Sequence, residues 1–145
     1  MMIMPPPMPG RLLLRLASDP QAVRNGLRDL LASQPLRDLD EDLRGSVEIV
    51  LAEVLNNIVE HAYAGSAGQI EVTLVPGPSM LWIEVADSGC AMPSETLPAG
   101  DPAEVTLDDL PEGGFGWFLI RSLTQDLVYT RKAGRNTLCF RMSAE

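Results

Sequence analysis

Residues 40–63 read DEDLRGSVEIVLAEVLNNIVEHAY. Leu43, Val47, Val50, Leu51, Val54, Leu55 and Ile58 recur at three- and four-residue spacing, which predicts one long amphipathic helix ending near Tyr63. Asp40 is placed to cap it. A helix with so broad an apolar stripe needs an apolar surface to face. Glu53, Asn57 and His61 follow one another at four-residue intervals, so they share a slowly drifting polar stripe along the same helix. Taken alone, that stripe reads equally well as a solvated edge. Asn57 offers a neutral amide oxygen suited to magnesium, and Glu53 offers a carboxylate one turn away that can take a proton from water or an alcohol. His61 also reads as a helix C-terminal residue whose charge suits the dipole.

The flanking sequence supplies the surface. Arg11 to Ala17 is Leu-rich and reads as a short first strand. Asp19-Pro20 then opens a helix carrying Val23, Leu27, Leu30 and Leu31, which Pro35 limits. After the glycines at 65 and 68, Gln69 to Val75 and Met80 to Ala86 read as a hairpin around Pro76-Gly77-Pro78. Ser88 to Gly116 is rich in Gly, Pro and acidic residues, a long loop of the kind that is functional when it interrupts a compact domain. A short helix, Phe115 to Leu123, precedes two strands, Asp126 to Arg131 and Asn136 to Met142, around Gly134. No internal repeat is present. The elements are those of an α/β chain, expected to form one domain over 11–145 preceded by a disordered segment over 1–10.

Composition narrows the function. The chain has 145 residues, is 46% hydrophobic and carries a net charge of −9, which suits one folded core and argues against a nucleic-acid partner. Charges or prolines interrupt every apolar run, so no membrane span is expected. Residues 1–10 lack the basic and continuous apolar regions of a secretory signal. Cys90 and Cys139 are too few for a disulfide framework, which points to the cytoplasm, and Cys90 reads as a buried inert thiol. With one histidine and no CxxC or HExxH spacing there is no zinc site, leaving oxygen-bound magnesium as the metal that fits. Between Arg44 and Arg121 there is no Lys or Arg. A phosphate bound by that stretch would be neutralised by backbone N–H groups and a metal.

Two further segments bear on chemistry. Asp87-Ser88-Gly89 falls where the strand Met80 to Ala86 ends. By itself it is an ordinary turn; a buried Asp there could also accept a hydrogen bond from an exocyclic amine such as adenine's, with Gly89 admitting a ring to the backbone. Glu112-Gly113-Gly114-Phe115-Gly116 leads into a helix. It reads either as a hinge or as a backbone cradle for phosphate at a helix N-terminus.

The order of these segments carries a resemblance that none has singly. Glu53 to Tyr63 resembles the N box of the GHKL (histidine kinase-like) ATPase superfamily, Asp87 to Met92 its first glycine box, and Gly113 to Ile120 its second; Gly134 to Leu138 resembles the late threonine-containing strand. The HAY ending and GGFGWFLIRSL are most similar to the anti-sigma-factor serine-protein kinases, over residues 11 to 142. The resemblance implies a Bergerat-type ATP-binding fold, an α/β two-layer sandwich of helices on one face of a mostly antiparallel sheet, with ATP and Mg2+ as cofactors and Glu53 as catalytic base. It implies Asn57 as the magnesium ligand and Asp87 as the adenine reader. Gly89, Gly113, Gly114 and Gly116 would be nucleotide-contacting glycines, and Thr137 would support the adenine edge. Ala91 and Trp117 depart from the family pattern, where glycine and leucine are usual.

It further implies a cytoplasmic, homodimeric serine/threonine-protein kinase acting as an anti-sigma factor. Its partners would be an anti-sigma-factor antagonist, a small protein with a phosphorylatable serine, and a sigma factor. The ATP lid, about 92–112, holds Glu95, Asp101, Glu104, Asp108, Asp109 and Glu112 without a basic residue. Such a lid cannot neutralise a γ-phosphate, and like charges in a closed site repel, so it is expected either to stay open or to face a basic partner surface. That feature suits the alternative reading, a catalytically silent, nucleotide-responsive partner-binding module of the same fold.

Overall fold

A computed structural model describes residues 11–34, 36–64, 66–99 and 114–144. The segment 1–10, Pro35, Gly65, Gly113 and most of the expected lid therefore lie outside the described residues. The elements are β1 (Leu12–Ala17), α1 (Pro20–Ala32), α2 (Glu41–Asn57), β2 (Gln69–Gly77), β3 (Met80–Asp87), α3 (Gly114–Leu123), β4 (Gln125–Lys132) and β5 (Arg135–Ser143). Asp19 caps α1 by accepting from the Ala22 N–H at 2.8 Å. Asp40 caps α2 by accepting from Asp42 and Leu43. In both helices the capping carboxylate satisfies donors that the first turn leaves open.

The five strands form one sheet in the order β1-β2-β3-β5-β4, every neighbouring pair antiparallel. Alternation along the strands sends Leu16, Ile70, Val72, Leu74, Leu81, Ile83, Val85, Leu138, Phe140 and Met142 to one face, where all are buried. Val47, Val50, Leu51, Val54 and Leu55 of α2 lie in the same core, with Val23 and Leu30 of α1 and Trp117 and Ile120 of α3. Trp117 is thus a core anchor at the start of α3, since burying an indole there removes a large apolar surface from water. No described helix is long and apolar enough to cross a membrane.

Two local features depart from expectation. The β2–β3 turn is not Pro76-Gly77-Pro78: both strands continue, pairing Pro76 with Leu81 and Gly77 with Met80, and the chain reverses at Pro78-Ser79. Pro76 is tolerated because β1 stops opposite Leu74, so no residue of β1 lies opposite its missing N–H. The second departure is at the end of α2. The helix does not run on to Tyr63; Ile58–Ala62 forms a π-helical turn, closed by the Tyr63 N–H on the Ile58 carbonyl at 3.0 Å. Wide turns of this kind often sit at functional sites.

Candidate functional site

The chemistry-bearing residues gather in two places on the helix side of the sheet. The first lies between α2 and α3. Glu53 faces the first turn of α3: a methyl group added to Gly116 would stand 3.2 Å from the Glu53 carboxyl carbon and closer still to Oε2. Gly116 therefore lets a helix N-terminus approach this carboxylate. One turn further along α2, the Nδ2 of Asn57 is buried without a hydrogen-bond partner among the described residues. A buried amide N–H left unpaired is costly, and an acceptor such as a phosphate oxygen would meet its requirement. The magnesium expectation falls on the other atom of this amide, Oδ1, because magnesium takes oxygen ligands and keeps waters and phosphates around it. His61, on the π-helical turn, is exposed, and its Nε2 lies 3.9 Å from Glu60.

The second place is the end of β3. Asp87 is 5% exposed. Its Oδ1 accepts from Asn136 Nδ2 at 2.8 Å and from the Gly89 N–H at 2.9 Å. Oδ2 has no partner among the described residues, so one carboxylate oxygen remains to accept a donor from a ligand. Asn136, equally buried, also donates to the Cys90 carbonyl at 2.9 Å, and its Oδ1 accepts from the Tyr129 hydroxyl at 2.6 Å and from Arg131 at 3.0 Å. The loop after Asp87 is held throughout: Arg131 donates to the Gly89 carbonyl at 2.6 Å, and the Met92 N–H donates to Tyr129 at 3.0 Å. Further on, Arg121 donates to the Pro98 carbonyl at 2.8 Å.

Two expectations change. Thr137 does not stand beside Asp87. Asp87 pairs with Asn136, whereas Thr137 pairs with Ala86 and so projects from the opposite face of the sheet. The polar side chain adjoining Asp87 is Asn136. At Gly89 the side that a Cβ would occupy faces the helix exit: an added methyl would lie 2.5 Å from the Ala62 carbonyl oxygen and 2.6 Å from its carbon. That glycine lets the loop rest on the π-helical turn, where the Cys90 N–H donates to the Ala62 carbonyl at 2.7 Å. Cys90 itself is exposed rather than buried. Gly113 lies outside the described residues, and Gly114 begins α3.

Sequence reasoning missed Asn136, Tyr129, Arg131 and Tyr63. The Tyr63 hydroxyl donates to the Gln69 carbonyl and accepts from the Ser88 N–H, at 2.7 and 2.8 Å, so it ties the helix exit to the starts of β2 and of the Asp87 loop. A signal existed for two of them. Tyr63 closes the opening stretch, and Asn136 is the neighbour of Thr137, one residue from the position expected.

Helices over one face of an antiparallel sheet, with a carboxylate-amide pair on α2 and an Asp at a strand end, define an ATPase domain of histidine kinase-like type. Residues 16–142 match the Histidine kinase-like ATPase domain family, and the chain belongs to it. It is 36% identical over 98 residues to the serine/threonine-protein kinase BtrW of Bordetella bronchiseptica, covering 66% of this chain and 68% of that one. It is also 32% and 30% identical over 95 residues to the serine-protein kinases RsbW of Bacillus mycoides and Bacillus cereus. Each RsbW match covers 63% of this chain and 59% of the relative; the chain spans less than two thirds of those relatives.

Proposed function

We propose that the protein is a cytoplasmic, Mg-ATP-dependent serine-protein kinase of the anti-sigma-factor type, which phosphorylates a small antagonist protein and alternately holds a sigma factor, and which works as a homodimer. The observation that carries this reading is the placement of Glu53 against the first turn of α3. Phosphoryl transfer needs a base beside backbone donors that can hold charged oxygens, and here the carboxylate and the helix N-terminus adjoin. Glu53 takes the proton of the attacking serine hydroxyl. Magnesium, when bound, neutralises charge on the transferring phosphoryl group, and Asn57 is its protein ligand. The N–H groups of Gly114 and Gly116 at the start of α3, together with that of Gly113, orient the phosphates. Asp87 accepts a hydrogen bond from the adenine amine through Oδ2.

Calorimetric titration with ATP, with and without magnesium, tests the nucleotide site. Binding that depends on magnesium and is lost in Asp87→Asn supports the reading; no binding at millimolar ATP refutes it. Glu53→Gln then separates kinase from silent module. Loss of serine phosphorylation with ATP binding intact assigns the base, and retained transfer removes that assignment.

A further inference from the structure

Arg131 lies on β4, far in sequence from Asp87 and its loop, yet its NH1 nitrogen donates to both the Gly89 carbonyl and the Asn136 Oδ1. An arginine can only donate. The atom of Asn136 that faces it must therefore be the amide oxygen, and the Tyr129 hydroxyl, which accepts from the Met92 N–H, donates to that same oxygen. The amide NH2 is thereby turned toward acceptors alone: Asp87 Oδ1, the Cys90 carbonyl and, at 3.4 Å, the Gly89 carbonyl. Both ends of Asn136 are consumed within the protein. Asp87 Oδ1 is consumed as well, by Asn136 and by the Gly89 N–H. One acceptor, Asp87 Oδ2, is left over from this array.

We propose that Arg131, assisted by Tyr129, is a positioning residue for nucleobase selection: it ties the Asn136 amide and the Gly89 carbonyl together so that Asp87 presents a single acceptor oxygen to the site. The inference rests on the nucleotide reading above and extends it to the choice of base. An exocyclic amine satisfies that oxygen, whereas a carbonyl at the same ring position confronts it with a second acceptor and leaves it unpaired beneath the bound ring. Arg131 touches no nucleotide in this scheme. It acts through Asn136 and the Asp87 loop.

The test is the ratio of affinities for ATP and inosine triphosphate, which differ by an amine against a carbonyl at one ring position. The full chain prefers ATP by about tenfold or more, the factor expected of one charge-assisted hydrogen bond. Arg131→Met narrows that preference to about threefold or less, because the acceptor is no longer held in place. Arg131→Lys restores it, since a single nitrogen makes both bonds in the wild type and an ammonium can replace it. A merely structural role would weaken both nucleotides together and leave the ratio alone. An unchanged ratio in a folded Arg131→Met protein overturns the proposal. If that variant does not fold, Tyr129→Phe narrows the ratio in the same direction, and an unchanged ratio there overturns it too. Absence of ATP binding to the wild type would refute the nucleotide reading itself, an outcome distinct from intact binding with an unmoved ratio.

Discussion

Gly89→Ala is the substitution that asks most of this structure. The new methyl group would stand 2.5 Å from the Ala62 carbonyl oxygen, 2.6 Å from its carbon and 2.9 Å from Ala62 Cβ. Two of those atoms are backbone, so no side chain can rotate away, and either the loop or the π-helical turn must move by about 1 Å to recover ordinary contact. Movement separates the Cys90 N–H from the Ala62 carbonyl, now 2.7 Å apart. Overpacking of this kind costs about 1–3 kcal/mol and the lost hydrogen bond about 0.5–1.5, so destabilisation of about 1.5–4.5 kcal/mol is expected. Because Gly89 also donates to Asp87 Oδ1, the acceptor at the strand end shifts and ATP affinity falls with stability. Urea unfolding of the two proteins, followed by ATP titration, measures both. A variant within about 0.5 kcal/mol of wild type would show that the contact relaxes without cost and that Gly89 has no role in joining loop to helix.

Gly116→Ala meets a different neighbour and should behave differently: the methyl displaces the end of the Glu53 side chain rather than backbone, so unfolding free energy changes by less than about 1 kcal/mol while serine phosphorylation falls at least about tenfold. Equal losses of stability and transfer would refute that separation. Glu71 is held below its ordinary 4.5 by hydrogen bonds from Arg135 and then Arg15. A lowered folded value means the stabilisation is present above pH 4.5 and lost as pH falls through that lower value, so Glu71→Gln should cost about 0.5–1 kcal/mol near neutrality and nothing in strong acid. A cost that persists under acid would mean the arginines contribute through packing instead. Burial, and then Glu84, push the Cys139 thiol up to about 11, while Cys90 is exposed; iodoacetamide at neutral pH should label Cys90 first, and equal rates at the two positions would contradict the structure.

The elements were legible because each rests on local chemistry. Asp19-Pro20 and Asp40 begin α1 and α2 where capping predicts, and Ala133-Gly134, both with positive φ, turn β4 into β5. Register was not legible. In a strand a shift of one residue exchanges the faces of the sheet, so the difference between Thr137 and Asn136 is the difference between the outer face and the Asp87 loop. The alternation of Leu138, Phe140 and Met142 does put Asn136 rather than Thr137 on the core face, a sign that the resemblance to a threonine-containing strand overrode; what no local pattern gives is that β5 sets Asn136 opposite Asp87. Arg131 and Tyr129 were hidden for a related reason. They reach the Asp87 loop only because β5 lies between β3 and β4, a strand order that places residues about forty positions apart on one hydrogen-bonded loop. The π-helical turn escaped too, since Ile58 and Val59 continue the apolar period of α2.

That turn is also what relates the two halves of the proposed site. Glu53 and Asn57 belong to α2, and Asp87 and Asn136 belong to the sheet. The described polar links between these layers cluster at the helix exit, where the Cys90 N–H meets the Ala62 carbonyl and the Tyr63 hydroxyl bridges Ser88 and Gln69. The span from the proposed base-reading carboxylate to the proposed general base is therefore set by how α2 ends rather than by where it begins. An α-helical exit would bond the Ala62 N–H to Ile58 and end the run one residue sooner in phase; the wider turn instead closes Tyr63 on Ile58 and brings the Ala62 carbonyl under Gly89. A deletion of one residue between Ile58 and Ala62 would restore the helical period while breaking this seat. The expected result is a folded core, because Val54, Leu55 and the residues before them keep their register, with ATP affinity lost because Asp87 and Asn57 no longer address one ligand. Circular dichroism and calorimetric titration of that variant separate the two outcomes: ATP binding at wild-type strength would mean that the helix exit does not set the span of the site.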